Sequence, residues 1–232
     1  MTSVIRGCLV TGTDTGVGKT LVAAAILTAL RRQGHRVAAV KPVVTGTDER
    51  SAAPADHELL ASCTGQDPHE VTRVTFGAPV SPHLAAAGAP LDAEALLAHA
   101  RAVARTADVL VAEGVGGLLV PLTAEWSVCD YAAALGLPIV IVARPGLGTI
   151  NHTRLTIAVA RASGLVVAAV ILNRWPAAPT AVQRDNALTI AALTGVGVWT
   201  MPELAALTAD ALAAAARSWP LMVWTQMPDQ PS

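Results

Sequence analysis

The sequence predicts a single α/β domain over residues 1–232, a mostly parallel β-sheet flanked by helices on both faces. Three observations lead there. Apolar runs of strand length alternate with longer amphipathic stretches. Those runs are apolar throughout, as strands buried on both faces are. Polar clusters fall just after them, where an open parallel sheet gathers ligands beyond the carboxyl ends of its strands.

Taken in order, Val4–Thr11 reads as the first strand, followed by an Ala/Leu-rich helix over Lys19–Gln33 that ends at Gly34. Arg36–Pro42 is a second strand, and the polar stretch Thr45–Pro54 is loop. Helices are expected over Asp56–Cys63, Pro82–Ala87 and Asp92–Arg105. The strand Asp108–Ala112 enters a Gly-rich turn, Glu113–Gly117. Ser127 is placed to cap a helix through Leu135. The strand Pro138–Ala143, the loop Arg144–Thr149 and the helix Asn151–Ser163 come next. Leu165–Leu172, Thr180–Leu193 and Val196–Thr200 complete the pattern as strand, helix and strand. No internal repeat, low-complexity linker or composition break divides the chain. Residues 219–232 read as an extended C-terminal tail of unknown role.

Bulk properties narrow the function. Hydrophobic residues make up 53% of the chain and charged residues 14%, which excludes a disordered protein. Mean hydropathy is +0.49. The longest uncharged apolar runs, 131–143 and 162–172, nevertheless fall short of the roughly 20 residues a membrane-spanning helix needs. The opening Met1–Arg6 lacks the pattern of a secretory leader, so a cytoplasmic location is expected. Cys8, Cys63 and Cys129 are odd in number and far apart, consistent with reduced structural thiols. A net charge of −1 without a dense basic run argues against nucleic acid as partner and for a small molecule.

Gly12-Thr13-Asp14-Thr15-Gly16-Val17-Gly18-Lys19-Thr20 joins the first strand to the first helix. Its glycines let backbone N–H groups turn inward on phosphate oxygens, and the helix start adds partial positive charge. Asp14, Thr15, Gly16, Val17 and Gly18 would wrap the phosphates of a nucleoside triphosphate. Lys19 would reach the β- and γ-phosphates and Thr20 would offer its hydroxyl to Mg2+. Five residues separate Gly12 from Gly18, one more than the usual phosphate loop has. The context of strand, loop and helix marks a P-loop NTPase-like fold without naming the reaction.

Further segments narrow the reading: Lys41-Pro42-Val43-Val44-Thr45-Gly46, Ser81-Pro82-His83, Glu113-Gly114-Val115-Gly116-Gly117 and Gly146-Leu147-Gly148-Thr149-Ile150-Asn151-His152-Thr153. With the phosphate loop, in this order and spacing, they resemble the dethiobiotin synthase family over about Val10–Leu204. The resemblance implies an ATP-dependent cyclo-ligase of biotin biosynthesis. Its substrates would be 7,8-diaminononanoate and CO2, closed to a cyclic urea through a carbamate and a carbamic-phosphoric anhydride.

By the same resemblance Lys41 and Lys19 are the catalytic lysines, and Thr20, Asp56 and Glu113 the metal ligands. Asp48 and Glu49 compete with Asp56, which could instead cap a helix. Thr45, Ser81, Pro82, Gly116, Gly117, Gly148 and Asn151 would line the substrate pocket. Asn173 and Arg174, with Pro202, Glu203 and Leu204, would surround the nucleotide base. The helix start at Gly148 would face a neighbouring subunit's site, which implies a homodimer. Three positions depart from the family pattern: Gly16, where some members carry glutamate, Val115 for the commoner alanine, and Arg144. Two other readings stay open, a partitioning-type switch ATPase and a related ATP-dependent amidoligase on another small acid. The extra loop lysine and basic surface run expected of the former are missing.

Overall fold

The computed structural model describes residues 5–49 and 53–226. In chain order its elements begin with β1 (Gly7–Gly12), α1 (Lys19–Arg32), β2 (Val37–Val40), β3 (Val44–Thr45), α2 (Asp56–Thr64) and α3 (Pro68–Val71). They continue with β4 (Thr75–Phe76), α4 (Pro82–Ala85), α5 (Ala93–Ala104), β5 (Val109–Gly117), α6 (Val128–Leu135) and β6 (Ile139–Ala143). The last six are α7 (Thr149–Ala162), β7 (Val167–Trp175), α8 (Ala181–Thr194), β8 (Val198–Pro202), α9 (Ala209–Ala215) and α10 (Leu221–Trp224).

Six strands form the main sheet in the order β2-β5-β1-β6-β7-β8, and every pairing is parallel. Successive side chains of a strand point to opposite faces, and the two cores divide on that period. Cys8, Val10, Val109, Val111, Val140, Val142, Ala169 and Ile171 pack under α1, α2 and α9. Leu9, Leu110, Ala112, Ile139, Ile141, Val170 and Leu172 pack under α5, α6, α7 and α8. The expected α/β fold, with helices on both faces of a parallel sheet, is the one observed.

Local chemistry explains several boundaries. Ser127 caps α6 in a reciprocal capping box with Asp130, and Gly136 ends that helix in the left-handed region. Thr180 and Gln183 do the same for the start of α8. The edge strand β2 is blunted by Gln66, whose amide oxygen accepts from Ala39 N at 2.7 Å while its nitrogen donates to Ala39 O at 3.3 Å. Gly7 is required by closeness, since a Cβ there would stand 2.0 Å from the carbonyl oxygen of Leu110.

Three expectations need correction. The segment Glu113–Gly117 is the continuation of β5 rather than a turn, because Gly117 pairs with Gly12 after a register shift whose extra residues lie on β5. Asn151 lies inside α7, whose N-cap is Gly148. The described part of the tail, up to Gln226, is not extended. Trp219 and Trp224 are buried, Trp224 meets Trp199 edge-on at 4.9 Å, and Thr225 O accepts from Gly7 N at 3.0 Å. Residues 227–232, along with Val4 of the first strand and part of the Thr45–Pro54 loop, lie outside the described residues. All three cysteines are buried and free.

Trp224 therefore ties the end of the chain to the underside of the sheet. Trp224→Ala should cost about 3–5 kcal/mol of stability, read as a lowered urea midpoint with little change in the slope of the transition.

Candidate functional site

The phosphate loop leaves β1 at Gly12 and returns as α1 at Lys19. Gly18 is the N-cap with φ 94°, a left-handed conformation in which glycine is unstrained. The rising limb is tied to β6, since Thr13 N donates to Val142 O at 2.9 Å. Asp14 closes on its own loop by accepting from Thr15 N at 2.7 Å. Lys19 is buried and donates to Asp14 O at 3.2 Å. Burial pulls its ammonium below the usual lysine range, while Glu113 opposes that shift.

Beside the loop lies a buried ion-pair cluster. Lys41 directly follows β2, and its backbone is pinned by Lys41 N donating to Val71 O at 2.9 Å and by Thr72 Oγ1 donating to Lys41 O at 2.8 Å. Its side chain is buried, with Nζ 2.6 Å from Asp56 Oδ2 and 2.5 Å from Glu113 Oε1. Thr20 Oγ1 donates to the same Glu113 oxygen at 2.9 Å. Val40 is paired with Ala112 across β2 and β5, so the next residues, Lys41 and Glu113, are neighbours in register. The two-residue period turns both toward α1, where Thr20 waits.

The electrostatics follow from burial and proximity. Burial works against the Lys41 ammonium, but Glu113 and Asp56 outweigh it and hold Lys41 above the usual lysine range. Burial also works against the Asp56 carboxylate, and there Lys41 prevails, holding Asp56 below the usual carboxylate range. Glu113 is fully buried, and burial pushes its carboxyl upward against the pull of Lys41.

One oxygen of that cluster is unsatisfied. Glu113 Oε2 is buried with no hydrogen-bond partner, a costly arrangement that a hard cation would relieve. The Thr20 hydroxyl and the Asp56 carboxylate stand alongside, so the donor set fits Mg2+. No group of three His, Cys, Asp or Glu side chains gathers as a metal site among the described residues. A magnesium ion here would take its remaining ligands from phosphate and water.

Of the carboxylates the sequence leaves open, Asp56 is the one bonded to Lys41. Asp48 instead packs against Gly77, and Glu49 lines a cavity of about 590 Å³ together with Thr45 and Asp56. Gly117 lines a second cleft of about 430 Å³ with Asp14, Thr15, Leu118–Pro121 and the α7 residues Leu155, Thr156 and Val159. Gly116 lies beside Thr15. Gly148 caps α7, and Asn151 is exposed on its first turn. Ser81 caps α4 and contacts His83 Nδ1 at 3.1 Å, while Pro82 is buried.

The residues expected around the base are spread more widely. Asn173 is buried against the phosphate loop, its Nδ2 donating to Val17 O at 2.8 Å. Arg174 is exposed with φ 56°. Pro202 ends β8 opposite Trp175, Glu203 is exposed, and Leu204 packs on the α1-side core.

Sequence reasoning gave Arg144 no role, yet its Nη2 donates to Thr15 O at 3.1 Å and lies 3.4 Å from Asp14 Oδ2. Its place just before the Gly146–Gly148 segment was the available signal. Thr72, which holds Lys41 from 31 positions away, offered none.

The AAA domain family matches residues 6–210. The ATP-dependent dethiobiotin synthetase of Anaeromyxobacter dehalogenans is 44% identical over 82% of this chain and 86% of its own length. That of Bacillus subtilis is 36% identical over 89% and 91%. Among solved structures, the MinC:MinD cell division complex of Aquifex aeolicus superposes with a TM-score of 0.55 at 16% identity, covering 97% of this chain and 98% of that one. The apo McdA structure of Cyanthece superposes with a TM-score of 0.51 at 11% identity, covering 90% of each chain. Those two likenesses show the fold alone. The sequence relatives show more, and the chain belongs to the ATP-dependent dethiobiotin synthetase family, whose members are P-loop ligases.

Proposed function

We propose that this enzyme closes the ring of 7,8-diaminononanoate with CO2 at the expense of ATP, forming dethiobiotin in the biosynthesis of biotin. The observation that carries the reading is the buried Lys41 ammonium, held between Asp56 and Glu113 beside the phosphate-loop residue Thr20. Phosphoryl transfer asks for fixed positive charge around the moving group more than for a covalent nucleophile. Lys19 and Lys41 bring such charge from two strand ends.

In this scheme one substrate amine attacks CO2, forming an N–C bond and losing a proton to give a carbamate. A carbamate oxygen then attacks the γ-phosphorus of ATP, and the bond to the β,γ-bridging oxygen breaks to release ADP. The second amine attacks the carbamoyl carbon and loses a proton, the C–O bond to phosphate breaks, and inorganic phosphate leaves behind a cyclic urea. Lys41 would bind the carbamate and the transferring phosphoryl group. Mg2+, held by Thr20, Asp56 and Glu113, would screen phosphate charge when bound.

Thr45, Ser81, Pro82, Gly116 and Gly117 are assigned to the diamine pocket. The α7 start at Gly148–Asn151 is assigned to its carboxylate, because free N–H groups there favour an anion. Asn173, Arg174, Pro202, Glu203 and Leu204 are assigned to the side of the base. Leu119, Leu147 and Leu155 are exposed near the cleft and the α7 start, an apolar surface suited to a second copy in a homodimer. A cytoplasmic location, with reduced thiols, belongs to the same reading. Among the described residues no helix is long and apolar enough to cross a membrane.

Phosphate release from ATP with Mg2+ tests the reaction. It should require both the diamine and bicarbonate, and Lys41→Ala should lower kcat by at least about a hundredfold, on the scale of a lost electrostatic stabiliser. Hydrolysis that ignores the diamine would sink the proposal and favour a nucleotide switch. Glu113→Gln should raise the Mg2+ concentration needed for half-maximal release by about tenfold or more. An unchanged magnesium profile would remove Glu113 from the metal site.

A further inference from the structure

The α1 helix begins at a point where two backbones and one side chain crowd together. Asn173, from the end of β7, is buried and donates from Nδ2 to Val17 O at 2.8 Å. A Cβ on Gly18 would stand 1.9 Å from that same Nδ2. The amide nitrogen therefore rests on the two residues before Lys19, and Gly18 is the side of the loop that admits it. Val17 itself is buried, so its carbonyl has little water to turn to.

The strand that carries Asn173 departs from regularity to deliver it. Pairing of β7 with β8 shifts register between Asn173 and Trp175. The residue passed over, Arg174, has φ 56°, the one positive value outside glycine among the described residues. Left-handed backbone in a non-glycine residue is strained, and bulges often re-aim a side chain next to a functional site. Gly18 O also accepts from Val22 N at 3.2 Å in the first turn of α1, while the Arg144 contacts reach Asp14 and Thr15 on the exposed limb.

From this geometry we infer that Asn173 is a positioning residue for triphosphate binding, holding the Val17–Gly18 turn so that the loop N–H groups and Lys19 converge on phosphate. The role acts through the loop and is separate from any contact Asn173 makes with a nucleotide base. It rests on the phosphate-loop reading and not on the diamine chemistry, so either can fail without the other. Loss of the amide donor would leave the Val17 carbonyl unpaired in a buried position. The turn would relax, and affinity for phosphate would fall whatever base is attached.

The test uses a ligand without a base. Magnesium tripolyphosphate binding to the full chain is measured by calorimetry for the parent, Asn173→Ala and Asn173→Asp, alongside thermal melting of each. Asn173→Asp is nearly isosteric and removes the donor, so it keeps the test open if the alanine variant fails to fold. Both variants should bind tripolyphosphate about tenfold or more weakly, consistent with losing one buried hydrogen bond, while melting as single cooperative units. In the unmodified protein, the Asn173 side-chain amide protons should exchange slowly and shift on adding tripolyphosphate. Parent-like affinity in the variants or a freely exchanging amide would each overturn the inference. So would a parent chain that does not bind tripolyphosphate at millimolar concentration.

Discussion

A lysine ammonium and a glutamate carboxylate share one buried place at the carboxyl end of the sheet, and much of the molecule is arranged around that fact. Neither group could be kept there alone, because an unpaired buried charge would shift its protonation or unfold its surroundings. Their pairing is a consequence of register, with Lys41 and Glu113 one step beyond the Val40–Ala112 pair of neighbouring strands. Asp56 at the start of α2 adds a second carboxylate, and Thr20 at the start of α1 adds a hydroxyl donor. Thr72 and Val71 fix the Lys41 backbone from behind. The cluster is thus held by the strands β2 and β5, both helix starts and the α3 turn together.

The phosphate loop is held in the same distributed way. Because β6 lies beside β1 and β7 lies beside β6, three different strand ends or connections reach the loop. Val142 anchors its rising limb, Arg144 touches its exposed limb, and Asn173 supports its last turn. A parallel sheet makes this possible by placing every strand's carboxyl end on one rim. The buried amide of Asn173 carries more weight than the exposed Arg144–Asp14 pair, since water screens the latter.

Fold and chemistry separate cleanly here. The MinC:MinD and McdA structures share the architecture at low identity, which fits a scaffold able to host many reactions. Family membership comes from the sequence relatives, which match over most of the chain. The segments that carry the family resemblance sit where the rim needs them: Lys41 and Glu113 within the ion-pair cluster, and Gly148 at the head of a helix.

The sequence by itself determined the alternation of strand and helix, the parallel class of the sheet and the phosphate loop. Those are local properties: apolar runs, a capping residue such as Ser127, and glycines ahead of a lysine. Asp56 is the carboxylate the family resemblance implies, with Asp48 and Glu49 competing, and only the tertiary structure shows that Asp56 joins Lys41. It also carried β5 through Gly117, since that extension depends on pairing with Gly12 in another strand. It buried Trp219 and Trp224 in a tail that reads as extended, because the surface they cover belongs to distant elements. And it set Asn173 under the phosphate loop, 156 positions from its partner. Each of these rests on a contact between residues far apart in the chain, and local pattern carries no record of such contacts.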